Sequence, residues 1–228
     1  LSHQANGKFA VTEMYHPLIP EGVRNSITAE RSVLLTGSNA SGKSTFIKTV
    51  ALNAILAQTL HTVLAENYQA SWFCIASSMA LRDDILSQES YYIVEIRSLK
   101  RILDLTRLSE LPVLCFIDEV LRGTNTVERI AASSRILQAI AEQGGLCFAA
   151  THDIELTYLL EKEYDNYHFE EQVEDDKVTF DYCLHEGRAC TRNAIRLLKM
   201  LGYDEKIVDD ANERVALFLK SGNWVSSH

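Results

Sequence analysis

The chain has 228 residues, 46% of them hydrophobic, and a formal net charge of −9. This length and hydrophobic content suffice for one well-buried core, and no apolar run approaches the roughly 20 residues that span a bilayer. The negative charge argues against tight DNA binding by this chain alone, because duplex affinity depends on Lys and Arg neutralising phosphates.

The first residues of the chain and its cysteines indicate the cellular compartment. The first residues contain neither an initiating Met nor the apolar core of a signal peptide, so we expect a cytoplasmic piece of a longer polypeptide. The cysteines are scattered without a CxxC pair, which is typical of reduced, buried thiols in a cytosolic protein. They are Cys74, Cys115, Cys147, Cys183 and Cys190.

Strand patterns alternate with helical patterns along the chain. In chain order, the predicted elements are an opening strand or hairpin at residues 8–18, a strand at 32–37, a helix from the following loop to about residue 62, a strand at 71–78, a helix at 90–108, a strand at 111–120, a helix at 127–143 and a strand at 146–152. The helix at 90–108 places five apolar residues on one face, namely Ile93, Ile96, Leu99, Ile102 and Leu103. Residues 164–187 then predict two antiparallel strands around an acidic turn, and two helices follow.

This order of elements predicts an α/β fold with a doubly wound, mostly parallel sheet flanked by helices, in which ligands bind at the carboxyl ends of the strands. We expect one domain over residues 1–228. Its expected parts are opening strands at 1–32, a core at 33–162, the antiparallel hairpin at 163–190 and C-terminal helices at 191–228.

The segment GSNASGKST matches the phosphate-loop pattern GxxxxGK[ST] in full. It comprises Gly37, Ser38, Asn39, Ala40, Ser41, Gly42, Lys43, Ser44 and Thr45. Its glycines let backbone N–H groups point at phosphate oxygens, Lys43 supplies a cation, and Ser44 supplies a hydroxyl for Mg2+. A plain Gly/Ser turn is the alternative, but the apolar strand before the loop and the helical pattern after it favour the fold of P-loop NTPases.

Two carboxylates end the apolar strand at residues 111–120. A buried strand carries charge only where cations compensate it, so Asp118 is a candidate ligand of Mg2+ and Glu119 a candidate base for the attacking water. The alternative is a strand that simply reaches the surface at two acidic residues.

His152 also ends a buried strand. Because the ends of neighbouring parallel strands converge on one crevice, its imidazole is expected near Asp118, where it can contact the terminal phosphate or the water. A capping or core histidine is the alternative.

Four blocks, TGSNASGKST, DDILSQESYYIVEI, CFIDEVLRGTNT and FAATHDIEL, resemble the ATPase domain of the MutS family of mismatch repair proteins in order and spacing. The similarity runs from Tyr15 to about Asn212. It implies an ABC-type ATPase that uses ATP and Mg2+, with Asn39 contacting the terminal phosphate. It also implies a homodimer with both nucleotides at the shared interface, and DNA held by domains absent from this chain.

The resemblance also assigns the segment SYYIVEI to the family's signature helix, whose N-terminus reaches the partner's ATP. Ser90 is therefore expected to contact that nucleotide in trans, since helix N-termini attract phosphate. An N-cap role alone is the alternative. The family places an aromatic residue against adenine before Asn25, but this chain has EGVR there. Val23 and Tyr182 are our candidates for the adenine contacts, with burial in the core as the alternative.

Several positions depart from the family pattern. Leu121 stands where a glycine is usual, Gln88 and Glu89 replace Gly and Arg before Ser90, and the loop has Ser38, Ala40 and Ser41 where Pro, Met and Gly are usual. We therefore expect a divergent member, in which ATP binding and hydrolysis drive rearrangement of attached DNA-binding domains. The alternatives are an ATP-dependent switch with little hydrolysis and another ABC-type ATPase head, from chromosome maintenance or a transporter.

Overall fold

The computed structural model describes residues 8–19, 21–38, 40–79, 91–121, 124–174, 177–189 and 194–223. The strands are β1 (Phe9–Met14), β2 (Asn25–Ala29), β3 (Ser32–Thr36), β4 (Asn67–Ala70), β5 (Cys74–Ser78), β6 (Val113–Asp118), β7 (Leu146–Ala150), β8 (Tyr164–His168), β9 (Glu171–Glu174), β10 (Lys177–Phe180) and β11 (His185–Glu186). The helices are α1 (Lys43–Thr59), α2 (Tyr91–Leu108), α3 (Thr126–Glu142), α4 (Glu155–Leu159), α5 (Ala194–Met200) and α6 (Glu205–Ser221). None of the helices in these residues is long and apolar enough to cross a membrane.

Within the described residues, six strands form one sheet in the order β11-β8-β3-β7-β6-β5. Every neighbouring pair is parallel except β11 with β8. The prediction of an α/β architecture with a mostly parallel sheet flanked by helices is thus confirmed. Strand β7 lies between β3 and β6, so the three chain segments that follow these strands emerge side by side at one edge of the sheet.

The two faces of this sheet are covered by different elements. On one face, α1 packs over strand residues that include Leu35 and Phe116. On the other, α2, α3 and α4 pack over a set that includes Leu34 and Ile117. Because successive residues of a strand point to opposite faces, the continuous apolar runs of β3, β6 and β7 supply both cores.

A smaller antiparallel sheet, in the order β2-β1-β4 among the described residues, adds to the α1 side. Phe9 of β1 pairs with Ala29 and Ala70, and its fully buried ring contacts Phe148 of the main sheet at 5.6 Å between centroids. The connection from β1 to β2 carries several residues of the candidate site.

The described residues separate into two compact units. The larger contains both sheets described above, with residues up to Glu170 and Tyr182–Ala189. The smaller contains the antiparallel pair β9 and β10, which confirms the predicted hairpin, together with α5 and α6. Asp204 caps the N-terminus of helix α6 by accepting a hydrogen bond from Lys206 N, and Gly222, in the left-handed region, caps its C-terminus.

Three predicted elements differ from the structure. Residues 164–168 were assigned to the hairpin but form β8, which runs parallel to β3 in the main sheet, because local pattern alone does not identify a partner strand. Helix α1 ends at Thr59 instead of near residue 62. In α2, Leu99 and Ile102 are buried as expected, whereas Ile93 and Ile96 are 41% and 38% exposed.

The cysteines of the described residues are free thiols. Cys115 and Cys147 are fully buried and lie opposite each other on β6 and β7, while Cys74 and Cys183 are half-buried. Cys190 lies outside the described residues.

Candidate functional site

The loop between β3 and α1 has a backbone shape that depends on glycine. Gly37 has φ of 139° and Gly42 φ of 111°, both in the left-handed region, and Ala40 shares that region at 65°. A Cβ on Gly37 would lie 2.8 Å from Phe169 O, which is closer than real Cβ atoms approach. Ser41, within the loop, is fully buried. Glycine at 37 is therefore required both by conformation and by space.

Helix α1 begins directly after this loop and leaves its N-terminus available to a ligand. Gly42 is its N-cap, and within the described residues no side chain caps it and no acidic residue lies in its first turn. The first N–H groups of a helix lack partners inside the helix and, with the helix dipole, attract anions. Lys43 extends its ammonium group back to Gly37 O at 2.7 Å and Ser38 O at 2.6 Å, so a cation stands beside these N–H groups.

A cavity of about 590 Å³ opens beside the loop, within the size range of small-molecule sites. Its lining contains six loop residues, Ser38, Ala40, Gly42, Lys43, Ser44 and Thr45. It also contains Glu119 and both candidate adenine contacts, Val23 and Tyr182. The structure thus brings together residues that are distant in the sequence. Other lining residues, which the sequence did not indicate, are His16, Ile19, Glu21, Gly22, Asn25, Phe46, Thr49 and Phe169.

Val23 and Tyr182 are partly exposed residues of this lining. They are 44% and 46% exposed, which argues against their alternative role as core residues. The ring of Tyr182 lies beside the loop, since a Cβ on Gly42 would be 3.3 Å from its Cδ1 atom. Both side chains can therefore offer an apolar surface to a flat ring such as a nucleobase.

Asn25 joins the segment around Tyr182 to the start of β2. Its amide Nδ2 donates to Tyr182 O at 3.0 Å, and its Oδ1 accepts from Leu184 N at 2.7 Å. The sequence did not single out Asn25, because the partner segment lies 157 residues further along the chain. A strand-initial Asn next to a candidate binding segment is the only local signal that could have pointed to it.

Asp118 ends β6 opposite Ala150 of β7. Its Oδ1 is buried, and among the described residues no donor reaches it; such acceptors call for a cation or water. The described residues hold no cluster of three or more His, Cys, Asp or Glu that could bind a metal by itself. Mg2+ commonly takes one or two protein carboxylates and completes its shell with phosphate oxygens and water, so the chemistry of the Asp118 carboxylate fits that ion.

Glu119 and His152 meet at the ends of β6 and β7. Glu119 Oε1 lies 2.9 Å from His152 Nε2, and an ionised carboxylate only accepts, so Nε2 donates in this contact. Glu119 N donates to Ala150 O, and its φ is 61°. The left-handed backbone therefore turns the carboxylate toward the β7 side of the sheet edge.

An ion pair lies next to His152. Arg129 of α3 donates to both carboxylate oxygens of Asp153, at 2.8 and 2.5 Å, and this hydrogen bonding raises the pKa of Arg129 above its usual value. The side chains are 24% and 11% exposed, so the pair fixes α3 to the residue that follows His152. Sequence patterns did not indicate it, since Arg129 reads as an ordinary charged helix residue.

Two expected contacts fall outside the described residues. These are Asn39 of the loop and Ser90 before α2, together with the unusual Gln88 and Glu89.

Comparison with known proteins gives a family match over most of the chain. Residues 33–218 match the family model described as MutS domain V. Proteins named DNA mismatch repair protein MutS are similar to this chain, among them those of Natronomonas pharaonis, Thermus thermophilus and Aquifex pyrophilus.

The similarity to these proteins is moderate and covers one part of each of them. The Natronomonas protein is 34% identical over 188 residues, which are 81% of this chain and 22% of that protein. The Thermus protein is 30% identical over 207 residues, 90% of this chain and 25% of that protein. The Aquifex protein is 31% identical over 214 residues, 89% of this chain and 25% of that protein. The chain therefore spans about a quarter of the length of these relatives.

Proposed function

Since this chain belongs to the MutS family, whose domain V it matches over residues 33–218, we propose that it binds ATP with Mg2+ and hydrolyses it at the cavity beside the 37–45 loop. The observation that carries the proposal is the composition of that cavity. Six residues of the phosphate-loop motif, together with Glu119 and the partly exposed Val23 and Tyr182, line one space of about 590 Å³. A nucleoside triphosphate needs these three kinds of surface together.

The fold we propose is that of the P-loop NTPases. In support, β3, the loop and α1 follow one another in the order that the motif requires. Asp118 ends β6 and Glu119 follows it, and β6 is separated from β3 by one strand. We treat residues 1–228 as one ATPase domain in function.

Binding rests on the loop and the residues around it. The N–H groups of the loop and of the α1 N-terminus receive the phosphates, and Lys43 leaves the carbonyls of Gly37 and Ser38 to contact the outer phosphates. Asn39 contacts the terminal phosphate, and Val23 and Tyr182 contact adenine. Mg2+, held by Ser44 and Asp118, supplies positive charge to the phosphate oxygens.

Hydrolysis rests on the residues at the ends of β6 and β7. Glu119 accepts a proton from the attacking water, because it directly follows β6 and lines the cavity. Glu21, which also lines the cavity, lies in the connection from β1 to β2. His152 holds Glu119 through the 2.9 Å contact and responds to the terminal phosphate. The positive charge of Lys43 offsets charge that develops on the transferred group.

The active assembly we propose is a homodimer. The likeness of residues 90–96 to the family's signature helix supports it, with Ser90 of each chain contacting the nucleotide of the other. The relatives named above are DNA mismatch repair proteins about four times as long as the matched region. We therefore propose that ATP turnover rearranges DNA-binding domains attached to this one.

The test is ATP hydrolysis with Mg2+ over a wide series of protein concentrations, with Lys43→Ala as the inactive comparison. Specific activity that rises with concentration and then saturates, and that is lost in Lys43→Ala, supports a dimeric ATPase. ATP binding without turnover at any concentration would favour the switch function instead. Equal ATP affinity of the wild type and Lys43→Ala would refute the phosphate-loop assignment.

A further inference from the structure

A buried carboxylate on α2 contacts the backbone just beyond Glu119. Glu95 is 1% exposed, and its Oε1 accepts a hydrogen bond of 2.6 Å from Leu121 N. Charged side chains are rarely this buried unless they have a specific partner. The contact joins a helix on one face of the sheet to the chain that leaves β6.

The backbone that Glu95 holds has an unfavourable conformation. Glu119 and Leu121 have φ of 61° and 56°, both in the left-handed region, although neither is a glycine. Such residues persist only where their surroundings fix them. Val120 and Leu121 are 4% and 2% exposed, so packing fixes part of the segment, and the bond to Glu95 fixes the direction of the Leu121 N–H.

The segment is held from two sides. On the β7 side, Glu119 N donates to Ala150 O at 3.1 Å and the side chain contacts His152. On the α2 side, the hydrogen bond to Glu95 holds the chain two residues later. The segment that carries Glu119 is therefore held between the end of β7 and helix α2.

We propose that Glu95 is a positioning residue that sets the orientation of Glu119 by holding residues 119–121. The catalytic consequence rests on the proposed ATPase function, in which Glu119 is the base. The local consequence does not, since the hydrogen bond orders the segment whether or not ATP is hydrolysed.

The experiment compares two replacements of similar size. Glu95→Gln keeps an acceptor oxygen for Leu121 N, whereas Glu95→Met fills the space without one and leaves a buried donor unpaired. Ser98→Ala is the control, because Ser98 is a buried polar residue of the same helix whose hydroxyl contacts Ser77 O. Turnover at saturating MgATP, the dissociation constant of MgATP, and hydrogen exchange of the Leu121 amide are measured for each, after circular dichroism has checked folding.

Glu95→Met is expected to lower turnover by roughly tenfold to a hundredfold, as for a misplaced catalytic group, with little change in the MgATP dissociation constant. Glu95→Gln and Ser98→Ala are expected to remain close to the wild type. In a Glu119→Gln background, Glu95→Met should cause no further loss, because it acts through Glu119. The Leu121 amide should exchange faster in Glu95→Met alone.

Two results would overturn the inference. One is equal turnover in Glu95→Met and Ser98→Ala. The other is a loss in Glu95→Met that is just as large when Glu119 is already Gln. If the wild type does not hydrolyse ATP, the proposed function fails, and the inference is then decided by exchange: unchanged protection of the Leu121 amide in Glu95→Met refutes it.

Discussion

Replacing Asn25 should separate binding of the base from binding of the phosphates. Asn25→Ala removes two hydrogen bonds, to Tyr182 O at 3.0 Å and from Leu184 N at 2.7 Å. A neutral hydrogen bond contributes about 1 kcal/mol, so the segment that carries Tyr182 loses about 2 kcal/mol of local stabilisation. Both hydrogen bonds of this amide go to residues 182–184, so the described part of the loop at residues 37–45 should keep its conformation.

This loss sets the upper limit of the effect on affinity. If the Tyr182 contact with adenine depends fully on Asn25, about 2 kcal/mol corresponds to roughly 30-fold weaker MgATP binding. Magnesium tripolyphosphate carries phosphates without a base, so its affinity should not change. Isothermal titration calorimetry with both ligands measures the difference directly.

A neighbouring residue provides the control. Ser26 also makes two hydrogen bonds, with Glu13 N and Glu13 Oε1, but these join β2 to β1 and do not reach Tyr182. Ser26→Ala should therefore leave the affinities for both ligands unchanged. Equal weakening of ATP and tripolyphosphate in Asn25→Ala would mean that Asn25 acts through the phosphate loop. Unchanged affinity for both MgATP and magnesium tripolyphosphate would refute a role for residues 182–184 in base binding.

Three further predictions concern Glu119, Leu121 and Cys115. Glu119→Gln should retain MgATP binding and lower turnover by about 10²- to 10⁴-fold, as for loss of a general base, when equilibrium binding and phosphate release are measured separately. In urea denaturation, Leu121→Gly should be no less stable than Leu121→Ala. The φ of 56° at this position costs alanine about 1–2 kcal/mol, and this cost offsets the entropic penalty of roughly 0.5–1 kcal/mol that glycine usually carries. At Leu137, buried in helix α3, the same comparison should favour Ala by about 1 kcal/mol. A hydrogen bond with Cys147 and burial raise the pKa of the Cys115 thiol in the folded protein. The folded state therefore holds this proton more tightly than the unfolded chain does, whose thiol pKa is about 8.5. The free energy of unfolding keeps its full contribution from this thiol below that pH and loses it as pH rises above it. Stability measured against pH should decline there by up to about 1.4 kcal/mol per pH unit from this thiol, and Cys115→Ala should flatten the decline.

The opposite results would each remove one assignment. Normal turnover of Glu119→Gln would exclude Glu119 as the base. A Leu121→Gly variant clearly less stable than Leu121→Ala would mean that the left-handed backbone at this position is not costly. An alkaline decline that Cys115→Ala leaves unchanged would show that other buried groups cause it.

The sequence predicted the parts of the fold that local pattern determines. Strands β3, β6 and β7 are continuous apolar runs that end at a glycine, an acidic pair and a histidine, so their type, burial and parallel arrangement could all be inferred. The rule that neighbouring parallel strands end at one edge predicted His152 near Asp118, and in the structure its imidazole contacts the next residue, Glu119. Their roles in catalysis stay predictions.

The parts that the sequence did not predict depend on contacts between distant segments. Strand β8 pairs with β3 across more than a hundred residues, and Asn25 contacts a segment further away still. In α2, hydrophobic spacing favoured Ile93 and Ile96, yet the buried face includes Glu95. A buried carboxylate contradicts hydropathy, and the hydrogen bond to Leu121 N, which lies 26 residues further along the chain, could not be read from the local pattern.

The two hydrogen bonds that join Asn25 to residues 182–184 also have a consequence for biosynthesis. Asn25 and the loop at residues 37–45 leave the ribosome before Tyr182 does, since Tyr182 lies 157 residues after Asn25. A nascent chain therefore lacks the Tyr182 side of the cavity until residues 182–184 have been synthesised, although β3, which precedes the loop, and its partner strands β7 and β8 are already present. Under the proposed function, ligand-dependent stabilisation would begin only after residues 182–184 have emerged, and fragments that end before them would gain little from it.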